Sequence, residues 1–550
     1  MKKNIFQLFT FLLLIVAFLN SPAQDRRTMD TKVADILAQM PTNDLVHRDK
    51  VMAEMAQLGT EGFQKFSALL VPAGTGDDTA VRFAINSLAR YASDFGKEEI
   101  KSFVETQLLQ ALEAHSDTEV KTFLLNQLNL VASDKTVDAL KKYLSEKDLT
   151  EPATQTLTRV GSEKAAWALF EALPKAGDDA TKTTLINALG VLQYRQAADA
   201  VAHFAETENP VLRKAALAAL ANIGAPGSYN LLYNAAKEVD FVYEPTNATE
   251  AFLNYTAKLG EENQTELCKK ACKAIFKASQ SDDKLHNYSK ALAIYSKYFG
   301  SEALPLLLKA VESENKSFRY SALNLAEKTD DIAATRAWIQ KAENSSDEIK
   351  AEIIDMLGRK GDGFAVDFIS KNLNASSANV REESINALLK LQGKKAVPAL
   401  IHHLAEGQDI EATKNALLQL LDQQHLAPVA KQMEKTSGKT KAAFIDLIAA
   451  KSGRDYFDEI YALTNSDDSE EKTAAFKALK NISTEKNLDR LLQLLLSVNN
   501  ETEIEQTQLA VITAAAGVDS ENKKSGKILT ALKNTDKKDR LIAVLPEVGG

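Results

Sequence analysis

Apolar residues recur along this chain at helical rather than strand spacing. Between residues 376 and 406, Val380, Ser384, Ile385, Leu388 and Leu391 fall on one face of a first helix. Gly393 ends it, and Ala396, Val397, Leu400, Ile401 and Leu404 line one face of a second. This is a helical hairpin of about 31 residues whose two stripes turn towards a shared core. The pattern returns at Leu212 to Leu220, which ends at Gly224, and again from Phe318 to Leu323.

The links between helices repeat as well. Gly161-Ser162-Glu163-Lys164, Gly300-Ser301-Glu302-Ala303 and Gly393-Lys394-Lys395-Ala396 are variants of one phrase, and Gly361 and Gly453 stand at equivalent points. Gly361 to Gly393 is 32 residues, Gly393 to Gly453 is 60 and Gly161 to Gly224 is 63, so one unit is about 30–32 residues. Glycine suits these positions because a helix commonly ends on a residue with positive φ. Pro305 and Pro398 fall in the first turn of the next helix, where a missing N–H costs little.

One such hairpin cannot bury its apolar face alone, whereas a stack covers it on both sides. The expected fold is therefore all-α, an α-solenoid of about 15 stacked hairpins. The expected organisation is a signal peptide at 1–23, a lead-in helix within 24–42 and an array over 43–550. The array has an irregular insertion around 237–262 and an incomplete last repeat.

The phrase of an apolar residue, arginine, two residues, a small residue and then leucines before glycine is clearest at Leu212–Gly224 and Val380–Gly393. It resembles the short HEAT-like repeats of the phycobilisome-lyase type. That resemblance implies a superhelical stack, second helices lining its concave face, and a binding role. It implies no reaction, because this repeat serves many functions.

The N-terminus changes where such an array would work. Lys2 and Lys3 precede an apolar run from Ile5 to Phe18, and Ser21-Pro22-Ala23 supplies small residues for cleavage before Gln24. This is the pattern of a secretory leader, and the run is shorter than the roughly 20 residues that span a bilayer. Export to the periplasm or the cell exterior is expected, with no integral membrane segment after cleavage. Removing the leader's two lysines from 66 basic residues leaves 64 against 75 acidic ones, a formal charge of −11. An acidic surface of this kind argues against nucleic acid as a partner.

Candidate chemistry is sparse. Cys268 and Cys272 lie one turn apart, which fits either a pair of small buried residues or a strained redox pair. Asp77-Asp78, Asp178-Asp179, Asp282-Asp283 and Asp467-Asp468 each precede a first helix, where aspartate caps and favours the helix dipole. His402 and His403 point about 100° apart on a helix and do not easily share an ion with Glu406 or His425. Trp167 and Trp338 fall in second helices, where packing is their expected role. No P-loop, dinucleotide glycine fingerprint, HExxH, GxSxG or CxxC occurs. No catalytic residue, metal ligand or cofactor is expected in residues 1–550.

The array breaks step once. Gly224 to Gly260 is 36 residues and Gly260 to Gly300 is 40. The extra chain, from Asp240 to Asn247, carries Phe241 and Tyr243, with Tyr229 and Tyr233 nearby. These four aromatics are the candidate partner-binding residues, the alternative being that the rings fill a gap in an imperfect repeat. The functional expectation is an exported, non-catalytic scaffold that presents a curved surface to a protein or glycan. The alternative is the accessory region of a larger exported carbohydrate-active enzyme, similar in architecture to chains ending in a 3-keto-disaccharide hydrolase-like β-sandwich. At the far end, Leu541, Ile542, Val544, Leu545 and Val548 give a final helix an apolar stripe, with Gly549 and Gly550 where a link should stand. The stripe is expected to face water unless the array continues, the alternative being a half-repeat whose helix folds back onto the preceding unit.

Overall fold

The computed structural model describes residues 27–328, 331–518 and 521–548, and every regular element among them is a helix. The leader and the Gly549–Gly550 pair lie outside the described residues. The chain divides into two compact units, one ending at Gln280 and the other starting at Ser281.

In the first unit, Thr79–Ala92, Thr118–Val131, Thr150–Val160, Asp179–Val191, Pro210–Ile223 and Ala248–Glu261 form a row of first helices, each packed on the next. Their partners are Glu98–Ala114, Asp134–Leu140, Glu163–Ala172, Ala198–Ala202, Tyr229–Glu238 and Thr265–Ala278. Met29–Leu37, Leu45–Gln57 and Gly59–Ser67 precede them. In the second unit the first helices run from Leu285–Phe299 through Lys316–Glu327, Asp347–Lys360, Ala378–Gln392, Ile410–Leu420, Gly438–Ala450 and Ser469–Ile482 to Glu501–Ala516. The intervening second helices are shorter, and many open with a turn of 3-10 helix, as at Gly300–Ala303, Gly363–Ala365 and Gly393–Ala396.

The expected stripes are the buried ones. Val380, Ile385 and Leu388 are sealed from solvent, as are Ala396, Val397, Leu400 and Leu404. Gly161, Gly224 and Gly361 end their helices in the left-handed region. Gly453 does not: its φ is negative, and Ser452 takes the positive φ instead. A side chain at 453 would meet Ile448 at 2.6 Å, so this glycine is held by crowding rather than by dihedral. Pro305 and Pro398 do sit in the first turn of their helices.

Two seams between first helices are unusually close, and the reason is the same in each unit. A Cβ on Gly190 would lie 2.7 Å from the Cα of Ala219, and one on Gly358 would lie 2.7 Å from the Cα of Ala387. Both pairs are 29 residues apart. Glycine facing alanine lets the two backbones meet.

The arginine of the repeated phrase is a tie. Arg319 is 4% exposed and donates to the carbonyls of Ser313 and Glu314 in the turn before its helix. It also donates to Glu352 on the next first helix, with both distances 2.8 Å. Arg381 repeats this with the carbonyls of Ala375 and Ser376 and the carboxylate of Asp409. Arg82 reaches the Val71 carbonyl, Asp78 and Glu119. Charge-assisted bonds from one buried guanidinium thus fix a turn, a helix and the following repeat together.

The C-terminal stripe corrects an expectation. The last segment is two short helices, Lys538–Ile542 and Leu545–Val548, folded against Glu501–Ala516 and Glu521–Lys533. Leu541 and Val544 are fully buried and Val548 nearly so, Leu545 is partly covered, and Ile542 is half-exposed. The stripe is covered by the preceding hairpin because a break at Ala543–Val544 lets the short pieces turn back onto it.

Candidate functional site

The insertion is built around rings. Tyr229 and Tyr233 stack with centroids 6.1 Å apart, and both pack edge-on against Phe252 at 5.8 and 5.7 Å. Phe241 closes the cluster against Tyr233 and Phe252. Phe241 turns inward because Asp240 and Phe241 both adopt positive φ, which reverses the chain after Tyr229–Glu238. Glu244 then holds the loop, accepting from the backbone N–H groups of Thr246 and Ala248. Of the four candidate aromatics, Tyr229 and Phe241 are interior and Tyr233 is half-buried. Tyr243 alone presents its ring to water, 87% exposed, beside the partly exposed Val242. The structure thus brings Tyr229, Tyr233 and Phe241 into one packed cluster and leaves Tyr243 outside it. Sequence composition carries the rings but not this division, which depends on the two positive-φ residues.

A second feature has no counterpart in the sequence expectations. Along most of each row, side chains stitch neighbouring first helices together. Asn86 donates to Gln127, Asn209 to Asp179, Lys390 to Asp355 and Lys472 to Glu503. From Thr118–Val131 through Thr150–Val160 to Asp179–Val191 the stitching lapses. Among the described residues the one side-chain hydrogen bond across these seams runs from Thr156 to the Leu125 carbonyl. A groove of about 580 Å³ opens there instead.

Its lining is polar and partly unpaired, although Thr158 donates its hydroxyl to the Thr154 carbonyl. Asn129, Thr158 and Asn187 occupy equivalent places on the three helices, 29 residues apart each time. Gln155 and Thr184 repeat that interval one turn earlier. Arg159 borders the groove at the last turn of its helix with no carboxylate paired to it, and Glu151 stands two turns away, accepting from Gln155. The floor includes Thr154, whose hydroxyl is buried without a partner. Val191, 63% exposed, forms an apolar lip. The groove lies on first helices, not on the second helices to which the family resemblance points. The signal that would have found it is the 29-residue recurrence of small polar residues where other repeats carry charged pairs.

The remaining candidates resolve into structural roles. Asp178 and Asp468 cap their helices through backbone N–H groups. Asp77 accepts from the Thr79 N–H, while Asp78 is drawn to Arg82 and the Val71 N–H. Asp282 and Asp283 lie within a single 3-10 turn. His402 and His403 diverge as their spacing requires: His402 faces Glu406 in solvent, and His403 is buried against Asp409 at 3.2 Å. Burial lowers the His403 pKa, an effect its hydrogen bond to Asp409 opposes. Cys268 and Cys272 are both buried as free thiols, and Cys268 donates to the Thr256 carbonyl. Their mutual hydrogen bond lowers the Cys268 thiol and, with burial, pushes that of Cys272 up, and because both are sealed from solvent neither is an exposed nucleophile. Trp338 is core, but Trp167 is 44% exposed and packs on Phe170, so packing describes only part of its surface. Among the described residues no three His, Cys, Asp or Glu side chains converge as metal ligands, and no helix is long and apolar enough to cross a membrane.

The family described as HEAT repeats matches residues 167–244 in the first unit and 335–421 in the second. No curated protein sequence matches the chain. Among solved structures, the Kap95:Nup1 complex is similar at 13% identity and a TM-score of 0.43, over 95% of this chain and 82% of that one. Yeast importin-beta (Kap95p) is similar at 12% identity and 0.44, again over 95% and 82%. Kap121p bound to RanGTP is similar at 12% identity and 0.45, over 94% and 68%. The stacked hairpins of both units thus include HEAT repeats, at the residues where that family matches.

Proposed function

We propose that this chain is an exported, non-catalytic scaffold that holds a protein partner on its repeat surface. Export is supported by the leader pattern, with its basic Lys2-Lys3 start, apolar run and Ser21-Pro22-Ala23. The observation that carries the binding role is the lapse in stitching between three consecutive first helices. Asn129, Thr184, Asn187 and Arg159, which make no side-chain hydrogen bond or ion pair among the described residues, line a groove there. Donors and acceptors left free on a rigid repeat surface are what a partner can use without first disrupting the fold. A protein is favoured over a glycan because no aromatic ring lines the groove, and sugar sites lean on ring faces.

The test is site-specific photo-crosslinking in the native host. A photoreactive residue is placed at Asn187 in the groove, at Tyr243 on the insertion, and at Glu470 as an exposed control in the second unit. The proposal expects a discrete adduct in the exported fraction from Asn187 that Glu470 does not give. Adducts that are absent, or identical from all three sites, would overturn it.

A further inference from the structure

We infer that the groove across Thr118–Val131, Thr150–Val160 and Asp179–Val191 takes an extended peptide segment in the polyproline II conformation. This rests on the binding-scaffold reading and specifies its ligand. The first observation is periodicity. Asn129, Thr158 and Asn187 put one small polar side chain on each of three stacked helices at the same register. Packed helices stand 8–10 Å apart. A ligand that uses Asn129 and Asn187 must therefore present an equivalent acceptor at about twice that interval. A polyproline II chain does so, because three residues at about 3.1 Å each bring the same carbonyl round after about 9 Å. A β-strand repeats its facing groups every two residues, near 7 Å, and falls out of step over three helices.

The second observation is chemical. The polyproline II main chain makes no internal hydrogen bonds, so its carbonyls are free acceptors. The amides of Asn129 and Asn187 supply donors at the two ends of this run, while Thr158, whose hydroxyl donates to the Thr154 carbonyl, keeps only an acceptor between them. A proline-rich segment has few N–H groups of its own to satisfy, and little order to lose on binding. The third observation is charge. Arg159 borders the groove without a carboxylate of its own, so the segment should carry an acidic side chain opposite it. The exposed lip at Val191 offers an apolar surface to a proline ring.

The test uses the full chain and a short fluorescent peptide of repeated Pro-Pro-Glu, followed by fluorescence anisotropy. The comparison peptide has the same length and charge with Gly-Ser in place of Pro-Pro. The Pro-Pro-Glu peptide should bind more tightly than the Gly-Ser peptide. Asn187→Ala should weaken it about two- to tenfold, and Arg159→Ala about tenfold or more. Neither change alters the fold, since both side chains are exposed; circular dichroism confirms this. Equal binding of the two peptides, affinities unmoved by Asn187→Ala and Arg159→Ala, or competition by a soluble oligosaccharide in place of the peptide would each overturn the inference. A groove-specific crosslink in the native host would still stand in those cases. Loss of that crosslink would instead remove the scaffold reading itself.

Discussion

Replacing Gly358 with alanine tests the packing that shapes the second unit. Alanine would normally help a helix by roughly 0.5–1 kcal/mol. Here the new Cβ would stand 2.7 Å from both the Cα and the Cβ of Ala387, about 1 Å inside ordinary carbon–carbon contact. The atoms it meets are backbone and a stub with no rotamer to change. Asp347–Lys360 and Ala378–Gln392 must therefore separate along their shared seam. Overpacking of this kind costs about 1–3 kcal/mol, so the net loss should be about 1–2 kcal/mol. Repeat arrays open in segments, and amide hydrogen exchange in these two helices is a better readout than a single melting temperature. Exchange there should quicken roughly 5- to 30-fold. Gly190→Ala, which meets Ala219 in the same way, should behave alike in the first unit. Gly526→Ala, with nothing within 4 Å of the added carbon, should slow exchange locally. If Gly358→Ala is neutral or protective like Gly526→Ala, the close-seam argument is refuted.

Other outcomes follow from single side chains. Leu388 is fully buried, so Leu388→Asp should cost about 3–5 kcal/mol and melt its neighbours before distant repeats, read by limited proteolysis; unchanged protease resistance would contradict the register. Arg319→Ala strands Glu352 and two turn carbonyls and should cost about 3 kcal/mol in urea unfolding, whereas loss of an ordinary surface pair would be barely measurable. His403 has a lowered folded pKa, so the unfolded chain takes up its proton first as pH falls. Stability should therefore be full above about 6.5 and decline below it, and His403→Gln should flatten that limb of a pH series of chemical melts. Burial works against ionising Asp409, but Arg381 and His403 outweigh it and hold its carboxyl below the usual range. A second loss should thus begin only as pH falls through about 3.8 and lower.

The repeat was legible because its determinants are local. Helical spacing at Val380, Ile385 and Leu388 marks buried stripes, and glycines such as Gly161, Gly224 and Gly361 mark helix ends wherever φ turns positive. Gly453 misled, since crowding by Ile448 and a positive φ require glycine for different reasons that look identical in sequence. The insertion was visible as a break in spacing. Which rings it buries depends on Asp240 and Phe241 taking positive φ, a conformation that residue type does not announce. The close seams and the groove were illegible one repeat at a time. Gly190 with Ala219, and Asn129 with Thr158 and Asn187, acquire meaning only when residues 29 apart are set side by side. The sequence left the folded-back C-terminal helices as the lesser alternative because a covered and an uncovered apolar stripe have the same period.

Native mass spectrometry of the protein recovered from its own host tests the central claim most directly. The account predicts a chain lacking the leader before Gln24, held in a stoichiometric complex with a protein whose mass is unaltered by the association. That complex should be lost on joint Arg159→Ala and Asn187→Ala substitution. A chain that keeps Met1, that carries no protein partner, or whose partner is retained by the doubly substituted protein would contradict it.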